Sequence, residues 1–495
     1  MSKTISSDLF HLIHCMSKAE KRHFKLYVRS HSKNMESINY ILLFDIIAKQ
    51  KEYDQEKIIQ QGIVKKEHLH VLKNYLYNLV LESMRVLRSK GNGIDSQLNN
   101  MMENARMMGD KGLEEEEMKF LHKAKKLALK HERWGIALDA LYRERIIILK
   151  RHDLKLLENF GNETEMLLNK LNNLQEYMML HKRVTHLLIK GGKQRGSKNK
   201  ALEKLIAHPL LRDEDKGLSV ESKRIYYNTL SHYHSFMGNT EADYKILTKL
   251  LRLVEETGIE FPEQSYSGIL NNLTIAQKNL GKYQEALSTI RKHRAQVWKS
   301  EMVKTSALLE SYINETDYYL GTGEFKKGTI FIKEIENDMN GGKSEMPNAI
   351  LLHYNFASIY FYVCDYHKAL KWMNIIINRP HSNYREDVQA WAHLLRILIH
   401  YELNTPDILE HLIVSAHRFL LERNKLHKVE KSILNFIRRL SKTSAMKKEL
   451  VEEFCRFKEE FVQIIKDPDE KKALDYFDLI SWIESKIKNK KFMKP

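Results

Sequence analysis

The chain has 495 residues with a formal charge of +17, 43% hydrophobic and 29% charged residues, 20 glycines and 7 prolines. Apolar content this high and so little glycine and proline exclude disordered, collagen-like and low-complexity classes. Three cysteines, Cys15, Cys364 and Cys455, lie far apart and are odd in number. They offer neither a disulfide framework nor a paired zinc motif, and point to a reducing compartment.

The first twenty residues interrupt their apolar positions with Ser7, Asp8, His11 and His14, so no signal-peptide core forms. Apolar stretches such as Ile41–Ile47 are too short for a membrane span. The expectation is a soluble, cytoplasmic chain with no membrane insertion. Lys18, Lys21, Arg22, Lys25, Arg29 and Lys33 cluster around a single acid, Glu20. His11, His14 and Cys15 share a helical face but lack a further ligand, so no metal site is assigned.

From Lys66 to Arg88, Leu69, Leu72, Leu76, Leu79, Ser83 and Leu87 form one apolar stripe of a long helix. Gln55–Gln61, the break at Gly62 and this helix together suggest a helix-turn-helix-like arrangement. Glu114–Glu117 reads as a helix start that favours the dipole rather than as catalytic carboxylates. A second basic cluster holds Lys182, Arg183, Lys190, Lys193, Arg195, Lys198 and Lys200, a candidate patch for phosphates or an acidic partner.

Beyond residue 220 a pattern recurs: a helix, a tight turn, then a second helix entered through an aromatic and a small residue. It reads Asn279-Leu280-Gly281-Lys282-Tyr283-Gln284-Glu285-Ala286 in one copy, Gly321-Thr322-Gly323-Glu324-Phe325-Lys326-Lys327-Gly328 in the next, and Cys364-Asp365-Tyr366-His367-Lys368-Ala369 in a third. Met237-Gly238-Asn239-Thr240-Glu241-Ala242 is a weaker copy, and the small residues Ala242, Ala286, Gly328 and Ala369 stand 44, 42 and 41 apart. Partial units occur at Glu132–Leu138 and Trp391–Leu421. Six prolines fall where the helical period breaks and none inside it, which fits an all-helical chain. Asp467-Pro468-Asp469-Glu470 predicts a well-capped helix carrying Ala473, Leu474, Phe477, Ile480 and Ile487 on one side.

This pattern resembles the tetratricopeptide-repeat (TPR) family, with a spacing longer than that family's 34 residues. The string from Tyr476 to Lys486 is similar to the C-terminal end of bacterial TPR proteins without an assigned activity. The resemblance implies an all-α, TPR-like α-solenoid of helical hairpins with helical capping regions at both ends. The predicted divisions are 1–110, 111–219, 220–425 and 426–495. Fourteen residues before each small residue stands an asparagine: Asn228, Asn272, Asn314 and Asn355. Lys123 and Leu395 break the series in the partial units. In the family this position faces the concave groove, which implies a peptide-binding track with Arg224, Lys278 and Tyr354 as neighbours.

No phosphate loop, dinucleotide fingerprint, nucleophile elbow or His-Glu-x-x-His motif is present. The sequence therefore predicts a non-enzymatic scaffold without cofactor, binding a protein or peptide partner. A nucleic-acid-binding regulator built on the N-terminal region and a TPR sensor is the alternative.

Overall fold

A computed structural model describes residues 4–31, 36–62, 66–89, 91, 93–191, 200–339, 349–378, 385–441 and 447–489. Among them every regular element is helical, with no strand, and no helix is long and apolar enough to cross a membrane. The chain forms two compact units, 1–171 and 172–495.

In the first unit α1 (Thr4–Cys15), α2 (Lys18–His31), α3 (Glu36–Lys49), α4 (Gln55–Gln60) and α5 (Leu69–Ser89) enclose Leu9, Ile13, Phe24, Val28, Phe44 and Leu76. The buried line of α5 runs through Leu69, Lys73, Leu76, Val80 and Ser83. Leu72, Leu79 and Leu87 of the predicted stripe are only half-buried. Lys73 turns inward because Tyr53 Oη and Gln55 Oε1 accept its ammonium at 2.7 and 2.9 Å. Next come α6 (Ile94–Asp110), α7 (Glu114–Lys130) and α8 (Trp134–Lys150), packed in succession. The predicted boundary at 110/111 falls inside the turn that joins α6 to α7, where Gly112 is left-handed (φ 73°). Glu114 and Glu115 open α7 and pair with Lys150 and Arg151 at 2.8 and 2.7 Å. The division between the units falls within α9 (Leu154–Gly191).

The second unit continues through α10 (Lys200–Ile206) and α11 (Pro209–Arg212) into five hairpins. These are α12 (Val220–Met237) with α13 (Thr240–Glu256), α14 (Glu263–Asn279) with α15 (Tyr283–Ala295), and α16 (Glu301–Thr322) with α17 (Phe325–Met339). Then come α18 (Ala349–Tyr362) with α19 (Tyr366–Ile377), and α20 (Glu386–Glu402) with α21 (Pro406–Glu422). Consecutive first helices α14, α16, α18 and α20 pack on one another, which makes this a TPR-like stack. Pro209, Pro406 and Pro468 sit in the first turn of their helices and Pro262 caps α14, as their missing N–H groups require. Pro347 and Pro380 lie outside the described residues.

One constraint sets the hairpin register. Each turn holds a residue of positive φ: Gly238 (75°), Gly281 (70°), Gly323 (74°), Cys364 (62°) and Asn404 (52°). Five residues later, at the fourth position of the second helix, come Asp243, Ala286, Gly328, Ala369 and Leu409, all buried. At Gly328 a Cβ would lie 3.2 Å from Ile359 Cδ1 and from Tyr319 Cβ, so the first helices close tightly over it. The frame corrects the first copy: Asp243, not Ala242, takes the small-residue position, and its Oδ1 accepts the Ser231 hydroxyl at 2.6 Å. Fourteen residues back now stands Thr229, so Asn228 drops out of the series.

The C-terminal helix also differs from expectation. After Asp467 caps it, α24 (Pro468–Lys471) lasts one turn and passes through a 3-10 turn to Asp475. Tyr476 and Phe477 leave the helix because burial pulls them elsewhere. Tyr476 stacks on Trp391 with centroids 5.4 Å apart, and Phe477 packs on Phe361 at 5.2 Å. Asp478 then caps α25 (Leu479–Ile487), which follows α22 (Lys428–Leu440) and α23 (Lys447–Ile464).

Ala286 is fully buried at its helix contact. Replacing it by leucine should overpack the hairpin and cost about 1–3 kcal/mol, read as a lowered thermal midpoint.

Candidate functional site

A groove of about 680 Å³ lies along α14, α16 and α18 and is walled at one end by Leu474–Asp478. The stacking of first helices brings one polar residue from each into a row on its floor. Asn314 Nδ2 donates to Asn271 Oδ1 at 2.7 Å, and its Oδ1 accepts from Lys278 Nζ at 2.9 Å. Lys278 Nζ also donates to Asp317 Oδ2 at 2.8 Å. Asn355 Nδ2 completes the row, donating to Asp317 Oδ1 at 2.7 Å and Thr316 Oγ1 at 3.0 Å. At the wall, Tyr354 Oη donates to the Tyr476 carbonyl at 3.2 Å, and Tyr476 Oη donates to Asp387 Oδ2 at 2.7 Å.

Of the predicted track, Asn314, Asn355, Lys278 and Tyr354 therefore meet in one groove. Asn272 does not line it: Asn271 does, one residue and about 100° around the helix. Asn228 sits half-buried on α12. Arg224 is on the same helix and is held by Glu221, with both bonds at 2.6–2.7 Å. Asn314 and Asn355 are each 3% exposed and spend their amides on neighbouring helices, so these amides are not presented to a peptide as the implied track requires. A buried amide must find partners, and here the adjacent first helix supplies them. Sequence reasoning missed Asn271, Asp317 and Glu310. Asp317 was within reach, three residues after Asn314 and so on the same face.

Lys182 and Arg183 are exposed on α9, and Lys200 is exposed at the start of α10. Lys193, Arg195, Lys198 and the side chain of Lys190 lie outside the described residues. In the N-terminal cluster Lys25 pairs with Asp45 at 2.6 Å. The ring nitrogens of His14 lie 2.9 and 2.8 Å from the carbonyls of Phe10 and Gln50, and among the described residues no three or more His, Cys, Asp or Glu side chains converge so as to hold a metal ion. In the helix-turn-helix-like region α4 has only six residues. Along α5 the first outward Lys or Arg is Arg85, because Lys73 faces the core.

Behind the groove, His293 is 1% exposed and its Nε2 lies 2.8 Å from Ser267 Oγ. Glu310 Oε2 approaches that same Nε2 at 4.0 Å, whereas a serine–histidine–acid relay needs the acid on the other nitrogen. Burial, with a smaller contribution from Arg294, holds the His293 imidazole down at about 4. Burial pushes the Glu310 carboxyl up, against hydrogen bonds from Ser306 and Ser267.

No family model and no curated protein matches this chain. One solved structure resembling it is a signal-transduction ATPase with numerous domains (STAND) carrying a tetratricopeptide-repeat sensor, from Pyrococcus horikoshii. The two are 13% identical with a TM-score of 0.34, over 86% of this chain and 55% of the other. This chain thus spans about half the length of that one.

Two measurements test the polar groups. Asn314→Ala strips one partner each from Asn271 and Lys278 and should cost about 1–3 kcal/mol in thermal or denaturant unfolding. For His293 the unfolded chain takes a proton near pH 6.5 while the folded one stays neutral to about 4. The unfolded state then binds more protons in that window, so His293 lowers stability as pH falls through it. Glu310, with its raised value, acts in the opposite sense. Comparing wild type with His293→Gln isolates the histidine: the variant's thermal midpoint should fall less between pH 6.5 and 4.

Proposed function

We propose that this protein is a non-enzymatic interaction module that holds an extended segment of a partner protein in the α14–α16–α18 groove. The observation that carries the reading is the groove's composition. Its floor is a rigid, internally satisfied polar row, and its rim offers apolar and polar side chains still open to solvent. Ile275 on α14 is 39% exposed there, and Asn279 lies one turn further along, also exposed. An exposed isoleucine beside unspent donors and acceptors suits a peptide, whose backbone needs hydrogen bonds and whose side chains need apolar contact. The groove's length, across three successive first helices, fits a segment rather than a small metabolite. We place the protein in the cytoplasm, where its three unpaired cysteines would stay reduced.

A photocrosslinking residue at position 275 tests the proposal against one at Ile330, which is 60% exposed on α17. Position 275 should capture a protein partner from the native extract, and position 330 should not. Ile275→Asp should then weaken that partner by about 1–2 kcal/mol, roughly 5- to 30-fold. Equal capture at both positions, or none at 275, overturns the reading.

A further inference from the structure

The cationic face of the first unit lies on α2, not on α5, the helix that the sequence suggested for a nucleic-acid contact. Lys18, Arg22 and Arg29 of α2 are exposed, and Leu26 between them is 55% exposed. At about 100° per residue the four fall within about 80° around the axis, and the cations spread over about 16.5 Å of it. Lys21, half-buried, flanks this stripe. Among the described residues none of Lys18, Lys21, Arg22 and Arg29 meets a carboxylate, because the acids nearby are committed elsewhere. Asp45 takes Lys25 at 2.6 Å, and Glu82 accepts the Tyr27 hydroxyl at 2.8 Å. Glu20, the one acid of α2, turns back to the helix start, where its Oε2 accepts the Ser17 N–H at 2.7 Å. Elsewhere in the same unit the opposite holds: Lys125, Lys150 and Arg151 meet Glu144, Glu114 and Glu115 at 2.7–2.8 Å.

Like charges three and four residues apart on a helix repel, and α2 sets Lys18 against Arg22, Lys21 against Lys25 and Lys25 against Arg29 at that spacing. A polyanion laid along the stripe reverses the sign of this interaction. The helix cannot instead dip into a membrane, because its apolar face, Phe24 and Val28, is fully buried in the unit's core. We infer that α2 docks the first unit on the phosphate backbone of a nucleic-acid duplex, a binding function separate from the groove. Duplex DNA presents a charge about every 1.7 Å along its axis, so the stripe faces roughly ten phosphates whatever the sequence. Arginine suits the contact, since its planar guanidinium takes two phosphate oxygens at once. Contacts of this kind fix position and carry no sequence information. A single strand wants aromatic platforms for its bases, and the outward face of α2 carries none. The chain's +17 adds long-range attraction to such a polymer.

The test uses the full chain and a labelled DNA duplex of about 20 base pairs and arbitrary sequence, followed by fluorescence anisotropy from about 50 mM salt upward. The duplex should bind, and more weakly as salt rises. Each cation on a phosphate contributes about 0.9 to the slope of log affinity against log salt, so Arg22→Gln with Arg29→Gln should lower that slope by about 1.8. At about 50 mM salt the same variant should bind at least about tenfold more weakly. Arg22→Lys with Arg29→Lys keeps both charges and should restore most of the slope. Lys150→Gln with Arg151→Gln removes as much charge from the end of α8 and should leave the slope unchanged. Should glutamine at 22 and 29 disturb the fold, Lys18→Gln alone should still lower the slope by about 0.9. A duplex that does not bind, or a slope that these α2 variants do not move, overturns the inference. So does a polyglutamate peptide of equal charge that binds as tightly, which makes the face a dock for an acidic protein.

Discussion

The five hairpins from α12 to α21 depend on one backbone conformation, a left-handed residue in the turn. It reverses the chain within a few residues and places the fourth residue of the second helix at the tightest contact. Glycine adopts this conformation freely at Gly238, Gly281 and Gly323. Cys364 and Asn404 carry side chains there and accept strain of about 1–2 kcal/mol, which the packing around Ala369 and Leu409 offsets. Because the offset of five residues is constant, the first helices meet in a repeating register. That register is what lines up Asn271, Asn314 and Asn355 on one floor.

The floor itself is a closed polar network in a mostly apolar stack. Lys278 and Asp317 form a partly shielded ion pair, and the asparagines fill the remaining hydrogen-bonding sites around it. Such a network adds little net stability over a well-packed apolar floor, since desolvation offsets much of the attraction. What it adds is geometric demand: a slipped helix would strand a buried amide or charge, so alternative registers are disfavoured. A rigid floor leaves the rim free to vary, and Ile275 and Asn279 stand there.

Much of the fold could be read from the chain because its determinants are local. Prolines at first turns, the glycine turns and the spacing of Ala286, Gly328 and Ala369 all act within a few residues. The weaker first copy slipped because Asp243 occupies a small-residue position, a choice that only Ser231, twelve residues away, makes tolerable. The floor was half legible. The periodic asparagines pointed to the right helices, but on α14 it is Asn271, one residue before the periodic Asn272, that lines the groove. That asparagine side chains would be spent between helices could not be read, because their partners lie about 40 residues away. The helix after Asp467 failed for a similar reason: Trp391 and Phe361 compete for Tyr476 and Phe477, and helical period carries no trace of them.

The wall formed by Tyr476–Asp478 has a temporal meaning. Neighbouring hairpins assemble from contacts within a few dozen residues, so they can form in order as the chain leaves the ribosome. Tyr354 and Tyr362, by contrast, wait for partners 122 and 116 residues downstream. Until that stretch is made, the cleft stands open at one end with Trp391 and Phe361 uncovered. A nascent chain halted before residue 478 is thus folded over much of its repeat stack yet presents an aromatic surface to chaperones. The wall at the end of the groove is therefore completed only when residues 476–478 are available to it.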